Sequence, residues 1–246
     1  MPRRVITLIG PDGAGKSTMA KRLRSVFGSQ GKYIYMGSNP AEATHALPTT
    51  RAWIALKRAL GRSVHRSGPP DVDSRPQAPE STVGTLLQHV KSLLALAMRV
   101  GDDAYRLLLA ELLARVGYVV ILDRHPYADY YAHRVAARDG WLRWGDRLHG
   151  FLLDRAYPRP DPVVLFDAPA DVLLRRKPEG TRQALEARRE EYRLVARHLP
   201  NVVVLDATRS EGEVWASLLQ VSARLLTDGQ PWGQFAAAGP GPEGAP

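Results

Sequence analysis

The sequence predicts an α/β protein built on a five-stranded parallel sheet with helices on both faces. Five short apolar runs, "VITLI", "KYIYMG", "YVVILD", "PVVLFDA" and "NVVVLDA", are spread along the chain with helical patterning between them. None of them alternates apolar with polar, which is the mark of strands covered on both sides. Strands separated by helices pair in parallel through crossovers, and ligands of such sheets collect at the carboxyl ends of the strands. That rule singles out Gly10, Asp123, Asp167 and Asp206.

The elements follow in order. "RRVITLIG" reads as a strand ending at Gly10, and Met19, Leu23 and Val26 then give one apolar helical face that stops at Gly28. After the second strand, "TRAWIALKRAL" predicts a helix closed by Gly61, and the polar, proline-rich stretch 62–82 predicts a mobile loop. Helical pattern returns over 83–99 and again from Asp102, where Leu109, Leu112, Leu113 and Val116 mark a buried stripe ending at Gly117. Trp144, Leu148, Phe151 and Leu152 share a further helical face, and "ALEARREEYRLVARHL" is a charged amphipathic helix. Val214, Leu218, Val221 and Leu225 carry the last helix. One domain is expected over 1–227, followed by a disordered tail over 228–246.

Composition narrows the functional classes. The chain of 246 residues has no cysteine, which excludes thiolate catalysis, disulfides and Cys-ligated zinc and suits a reducing cytoplasm. No apolar run approaches the roughly twenty residues of a membrane span, and the first, "VITLI", is too short for a signal peptide. The expectation is a cytoplasmic protein without membrane contact. Net charge is +9, carried mostly by arginines scattered through helices, so it reads as composition and not as a nucleic-acid footprint.

Chemistry concentrates in three places. Gly10 to Ser17 fits G-x-x-x-x-G-K-[ST] between a predicted strand and a predicted helix. In that setting the loop of Gly10, Asp12, Gly13, Ala14, Gly15, Lys16, Ser17 and Thr18 would wrap phosphates with backbone N–H groups. Lys16 would reach the outer two, and Ser17 would offer its hydroxyl to magnesium. The plainer alternative is a glycine-rich turn. Second, Asp123 and Arg124 emerge together from a strand end, the first suited to magnesium and the second to the phosphate of another substrate; an ion pair capping the next helix is the competing reading. Asp12 would face the acceptor or the metal's water. Third, in "LLRRKPEGTRQALEARREEYR" the cations Arg175, Arg176, Lys177 and Arg182 straddle Pro178 and Gly180, which describes a lid over about 175–183. Arg188, Arg189 and Arg193 read as solvated helix charge.

With these pieces in order, residues 4–226 resemble the thymidylate kinase family of nucleoside monophosphate kinases. The matching stretches are "GPDGAGKST", "DRHPYADYYA", "DAPADVLLRRK", "LEARREEY" and "VVVLDATRSEGEV". The resemblance implies a P-loop kinase fold that moves the γ-phosphoryl of ATP onto a nucleotide 5′-phosphate. It implies that Lys16 and its loop bind ATP, that Ser17 and Asp123 serve Mg2+, and that Arg124 holds the acceptor phosphate. Gly13 stands where one design of the family carries a loop arginine, so Arg175 and Arg176 would stabilise the transferring group. The resemblance is also compatible with a homodimer.

The acceptor side departs from the family. "YMGSNPAE" replaces the usual arginine and Glu-Pro-Gly-Gly, and "ALAMR" keeps Arg99 but has Ala95 for the stacking Phe and Met98 for the Asp. Arg106 is a rival reader of the base, and Tyr105, Tyr127 or Tyr130 could supply an aromatic face. The first expectation is therefore transfer to dTMP or a related nucleoside monophosphate. The second is a non-standard acceptor such as a modified nucleotide, a sugar phosphate or another small phosphorylated metabolite. A P-loop regulator or nucleic-acid-dependent ATPase ranks last, because no helix-turn-helix, stacking platform or strand-end "DE" pair is present.

Overall fold

The computed structural model describes residues 4–37, 82–129 and 157–227, with isolated helical positions at 59, 148, 150–152 and 155. The expected helix near 51–61, the loop at 62–81, Tyr130, most of the helix around Trp144 and the tail over 228–246 lie outside the described residues.

Five strands form the sheet: β1 (Val5–Ile9), β2 (Gly31–Tyr35), β3 (Val119–Asp123), β4 (Val163–Asp167) and β5 (Val202–Asp206). Their order is β2-β3-β1-β4-β5, and every pair is parallel. The helices are α1 (Lys16–Val26), α2 (Thr82–Val116), α3 (Ala170–Arg176), α4 (Arg182–His198) and α5 (Glu211–Thr227). One sheet face packs Ile6, Leu8, Ile121 and Phe166 against α1, α3 and α5 through Met19, Leu23, Leu173 and Leu218. The other packs Ile9 and Leu165 against Tyr192 and Val195 of α4, and Ile34, Val120 and Leu122 against Ala110 of α2. Burial on both sides is why the strands read as unbroken apolar runs.

The sequence expectation fails in three details. Helix α2 is continuous through Gly101, where two helices were expected. A mid-helix glycine costs about 1 kcal/mol, an amount that packing overrides. Its expected buried stripe holds in part: Leu109 and Leu113 pack against the sheet, but Leu112 is 49% and Val116 77% exposed, while Asp102, Asp103, Arg106 and Ala110 are buried. A hydrophobic pattern cannot find buried residues that are charged. Val26 of α1, expected inside, is 56% exposed and lies one turn beyond the buried Leu23.

Candidate active site

The carboxyl ends of β1 and β3 are neighbours, with Leu8 opposite Asp123, so the loop after β1 and the pair Asp123-Arg124 meet by register alone. Between β1 and α1 the backbone turns through left-handed conformations at Gly13 (φ 86°) and Gly15 (φ 88°). Gly15 precedes α1 without a side-chain cap, and the first turn holds no acidic residue. Helix N–H groups left unclaimed in this way favour an anion. Lys16 is buried beneath the loop and its Nζ donates to the Pro11 carbonyl at 2.6 Å. Burial and then the nearby Arg124 charge bring its pKa down to about 8. Ser17 is half-buried beside it and Thr18 is exposed.

Asp123 is fully buried at the end of β3. The Tyr33 hydroxyl donates to its Oδ2 at 2.9 Å, while its Oδ1 has no hydrogen-bond partner among the described residues. An orphaned buried carboxylate oxygen beside the glycine-rich loop fits a cation or a cation's water. Among the described residues no three acidic or imidazole groups converge as a metal cage. An ion of the Mg2+ kind takes one or two protein oxygens and completes its shell with phosphate and water. Ser17 and Asp123 are the groups that would hold it.

Arg124 has φ 74°, a left-handed backbone that a side-chain-bearing residue adopts only when its surroundings impose it. Its N–H is fixed to the Leu8 carbonyl at 2.9 Å, its Nη2 pairs with Asp12, and its Nε is buried without a partner among the described residues. Burial opposes the charge, but Asp129, Tyr192 and Asp12 hold the guanidinium's pKa well above its usual value. Burial likewise acts to raise Asp12, and Arg124 and Lys16 outweigh it, bringing that carboxyl to about 2. The loop and the strand end thus carry an interlocked cation-anion-cation set.

On the side where an acceptor was expected, Arg106 is buried and all its nitrogens are engaged within the protein. It donates to the Tyr35 carbonyl at 3.0 Å, the Gly37 carbonyl at 3.2 Å and the Asp102 carbonyl at 3.3 Å, and pairs with Asp102 and, at 3.4 Å, Asp103. This fork ties the end of β2 to α2, which is a brace and leaves no donor for reading a base. Asp103 is pushed up to about 7 by burial, against the pull of Arg106 and Arg99. Arg99 and Tyr105 are exposed on α2, and Tyr127 is buried. The Tyr127 N–H donates to Nδ1 of His125, whose burial brings its pKa down to about 4.

Where a lid was expected, α3 stops at Arg176 and α4 begins after Thr181, whose hydroxyl accepts the Ala184 N–H. Arg175 is exposed, and Nη1 of Arg176 donates to the Ala207 carbonyl at 2.7 Å. The reading of Arg188, Arg189 and Arg193 as solvated charge is overturned. Arg189 makes a bidentate pair with Asp167 at 2.7 and 3.0 Å, Arg193 joins it at 2.8 Å, and Arg188 pairs with Glu191 over the Tyr192 ring. Strand-end Asp167 therefore clamps α4, and Asp206 holds its own turn through Thr208 at 2.9 Å. Sequence reading also missed Tyr33, His125, and the hydrogen bond from Tyr192 to Asp129. The "HPYAD" stretch carried a faint signal, since His125 and Asp129 stand one helical turn apart.

With this geometry in place, one likeness to a known protein stands out. The chain is 27% identical over 232 residues to a probable thymidylate kinase of Thermococcus gammatolerans, covering 91% of this chain and 98% of that one. No protein-family profile matches the chain. A likeness that spans nearly both full lengths, together with the parallel sheet and its loop, makes the fold that of a P-loop kinase and supports a nucleotide kinase in general. Among the described residues no helix is long and apolar enough to cross a membrane.

Proposed function

We propose that this protein is an ATP- and Mg2+-dependent phosphotransferase of the thymidylate kinase type, moving the γ-phosphoryl of ATP onto dTMP or a related nucleoside monophosphate. The observation that carries the reading is the register of β1 and β3, which sets the loop of buried Lys16 beside Arg124. Transfer needs two phosphates held in line and little else, so positioning and charge stabilisation supply most of the acceleration. Lys16 and the loop N–H groups hold the donor's phosphates, and Arg124 exchanges Asp12 for the acceptor's phosphate. Bound Mg2+ would neutralise the donor's charge. Arg175, at the exposed end of α3, and Arg176 reach over the transferring group when the lid closes, and closure excludes water.

The acceptor is the open part of this reading, and one observation favours a compound other than dTMP. The one arginine of α2 that is buried at the β2 end, Arg106, is spent on protein contacts, and the carboxyls beside it are Asp102 and Asp103. With Arg106 spent in this way, no buried arginine of α2 is left to read a thymine ring.

A coupled ADP-release assay with a panel of nucleoside monophosphates and sugar phosphates tests both. Acceptor-dependent turnover that Lys16→Met abolishes, with the melting curve unchanged, supports the first statement, and the preferred acceptor decides the second. ADP release that no acceptor stimulates, or that Lys16→Met leaves intact, would end the proposal.

A further inference from the structure

Strand β2 carries two tyrosines one pleat apart, Tyr33 and Tyr35, which project to the same side of the sheet. Both reach the neighbouring strand end, because β2 runs beside β3 with Tyr35 opposite Asp123. Tyr33 donates its hydroxyl to Asp123 at 2.9 Å. Tyr35 lies against the following residue, Arg124, and Gly37 shows how closely. A Cβ built on Gly37 would lie 2.3 Å from the Tyr35 hydroxyl oxygen, 2.4 Å from its Cζ and 2.8 Å from Cδ of Arg124. The ring end of the tyrosine and the stem of the arginine therefore share the space that the glycine leaves open. Gly37 has no left-handed backbone, so it is space and not conformation that calls for glycine here.

The same short stretch is fixed from behind. The Met36 N–H donates to the Asp123 carbonyl at 2.9 Å, and Nη1 of Arg106 donates to the carbonyls of Tyr35 and Gly37 at 3.0 and 3.2 Å. Asp102 and Asp103 hold that guanidinium in turn. Hydrogen bonds at three successive residues leave the stretch little freedom to retreat from Arg124.

From this packing we infer that Tyr35 and Gly37 are positioning residues for Arg124: the braced end of β2 supplies the surface on which the arginine stem rests, and so decides where its guanidinium meets the acceptor. The inference rests on the reading of Arg124 as the acceptor-phosphate ligand. The Arg124 backbone is fixed by its N–H on the Leu8 carbonyl and the far end of its side chain by Asp12, while Nε has no partner among the described residues. Between those two points the stem is held by contact, and Gly37 and Tyr35 provide it. When a phosphate displaces Asp12, that contact keeps the guanidinium aimed. Arg106, whose donors are all spent inside the protein, then serves the site through the strand end it braces.

The test is Gly37→Ala, alone and in a Tyr35→Leu background, with the acceptor that the ADP-release panel turns over best. Each of the three atoms nearest the new methyl belongs to a side chain, so the variant should fold with a melting curve close to that of wild type. In the wild-type background the acceptor KM should rise roughly tenfold with the ATP KM within about twofold, because a displaced guanidinium misplaces one substrate and not the other. In the Tyr35→Leu background, where the ring end is gone, the same methyl should cost less than about threefold. An acceptor KM that stays put, an equal rise in both KM values, or the same rise in both backgrounds would overturn the inference. A second readout is independent of turnover: crystal structures of wild type and Gly37→Ala should show the Arg124 guanidinium moved off Asp12 in the variant. If it has not moved, the inference fails; if it has moved while wild type phosphorylates no acceptor, the positioning role stands and the functional reading falls.

Discussion

Gly13 shows how a single residue's chemistry was legible while its reason was not. The sequence marks it as a loop glycine, and the resemblance marks it as the place where an arginine could have stood. In three dimensions a Cβ there would lie 2.9 Å from the Leu173 carbonyl of α3, so the loop and the helix that ends in Arg175 and Arg176 touch at backbone level. A residue with a side chain at this point has no room. Gly15 has the same left-handed backbone but nothing within 4 Å of its Cβ position. Gly15→Ala should therefore cost only the conformational strain of about 1–2 kcal/mol, while Gly13→Ala should cost more because a backbone carbonyl must shift. In a protein of this size each 1 kcal/mol lowers Tm by about 2–4 °C, and thermal melts of the two variants would resolve the difference. Equal shifts would mean that the contact with α3 is not tight.

At the scale of elements, charge does what apolar packing does elsewhere. Helix α2 meets the end of β2 through Arg106, and α4 meets the end of β4 through the Asp167 clamp. Arg106→Lys keeps the charge but not the fork, and an ammonium cannot replace its hydrogen bonds to three carbonyls and two carboxylates at once. A loss of about 2–3 kcal/mol, read as a lower urea midpoint with an unchanged slope, is expected. Asp167→Asn releases partners of which Arg193 is 42% exposed and screened by solvent, and the expected loss is smaller, about 1–2 kcal/mol. Both braces escaped the sequence reading for one reason: an arginine in a run of arginines looks the same whether it faces water or a carboxylate.

For the whole molecule the pH dependence of stability follows from two buried groups of opposite sign. His125 has a folded pKa of about 4, below its ordinary value, so the unfolded chain takes up the proton first as pH falls. This group leaves stability unaffected above about pH 6.5 and lowers it as pH drops from there to about 4, by at most roughly 3 kcal/mol. Asp103 has a folded pKa of about 7, above its ordinary value. Its contribution is fully present below about pH 4 and is lost as pH rises through 7. Urea titrations at pH 5 and 7.5 separate the two: His125→Asn should reduce the loss on acidification, and Asp103→Asn should raise stability at pH 7.5 more than at pH 5. The opposite signs would show that these groups are not buried as described.

The sequence by itself determined the five parallel strands, the glycine-rich loop between β1 and α1 and the presence of Asp123 and Arg124 at a strand end, because each is written in a local pattern of apolar runs, glycines or adjacent residues. It did not determine which arginines are structural, that α2 buries charged residues, or that Tyr192 reaches Asp129 across 63 residues of chain. Those outcomes depend on what stands opposite a side chain once the sheet has closed, and only tertiary structure supplies the partner that decides whether a charge is solvated, clamped or aimed.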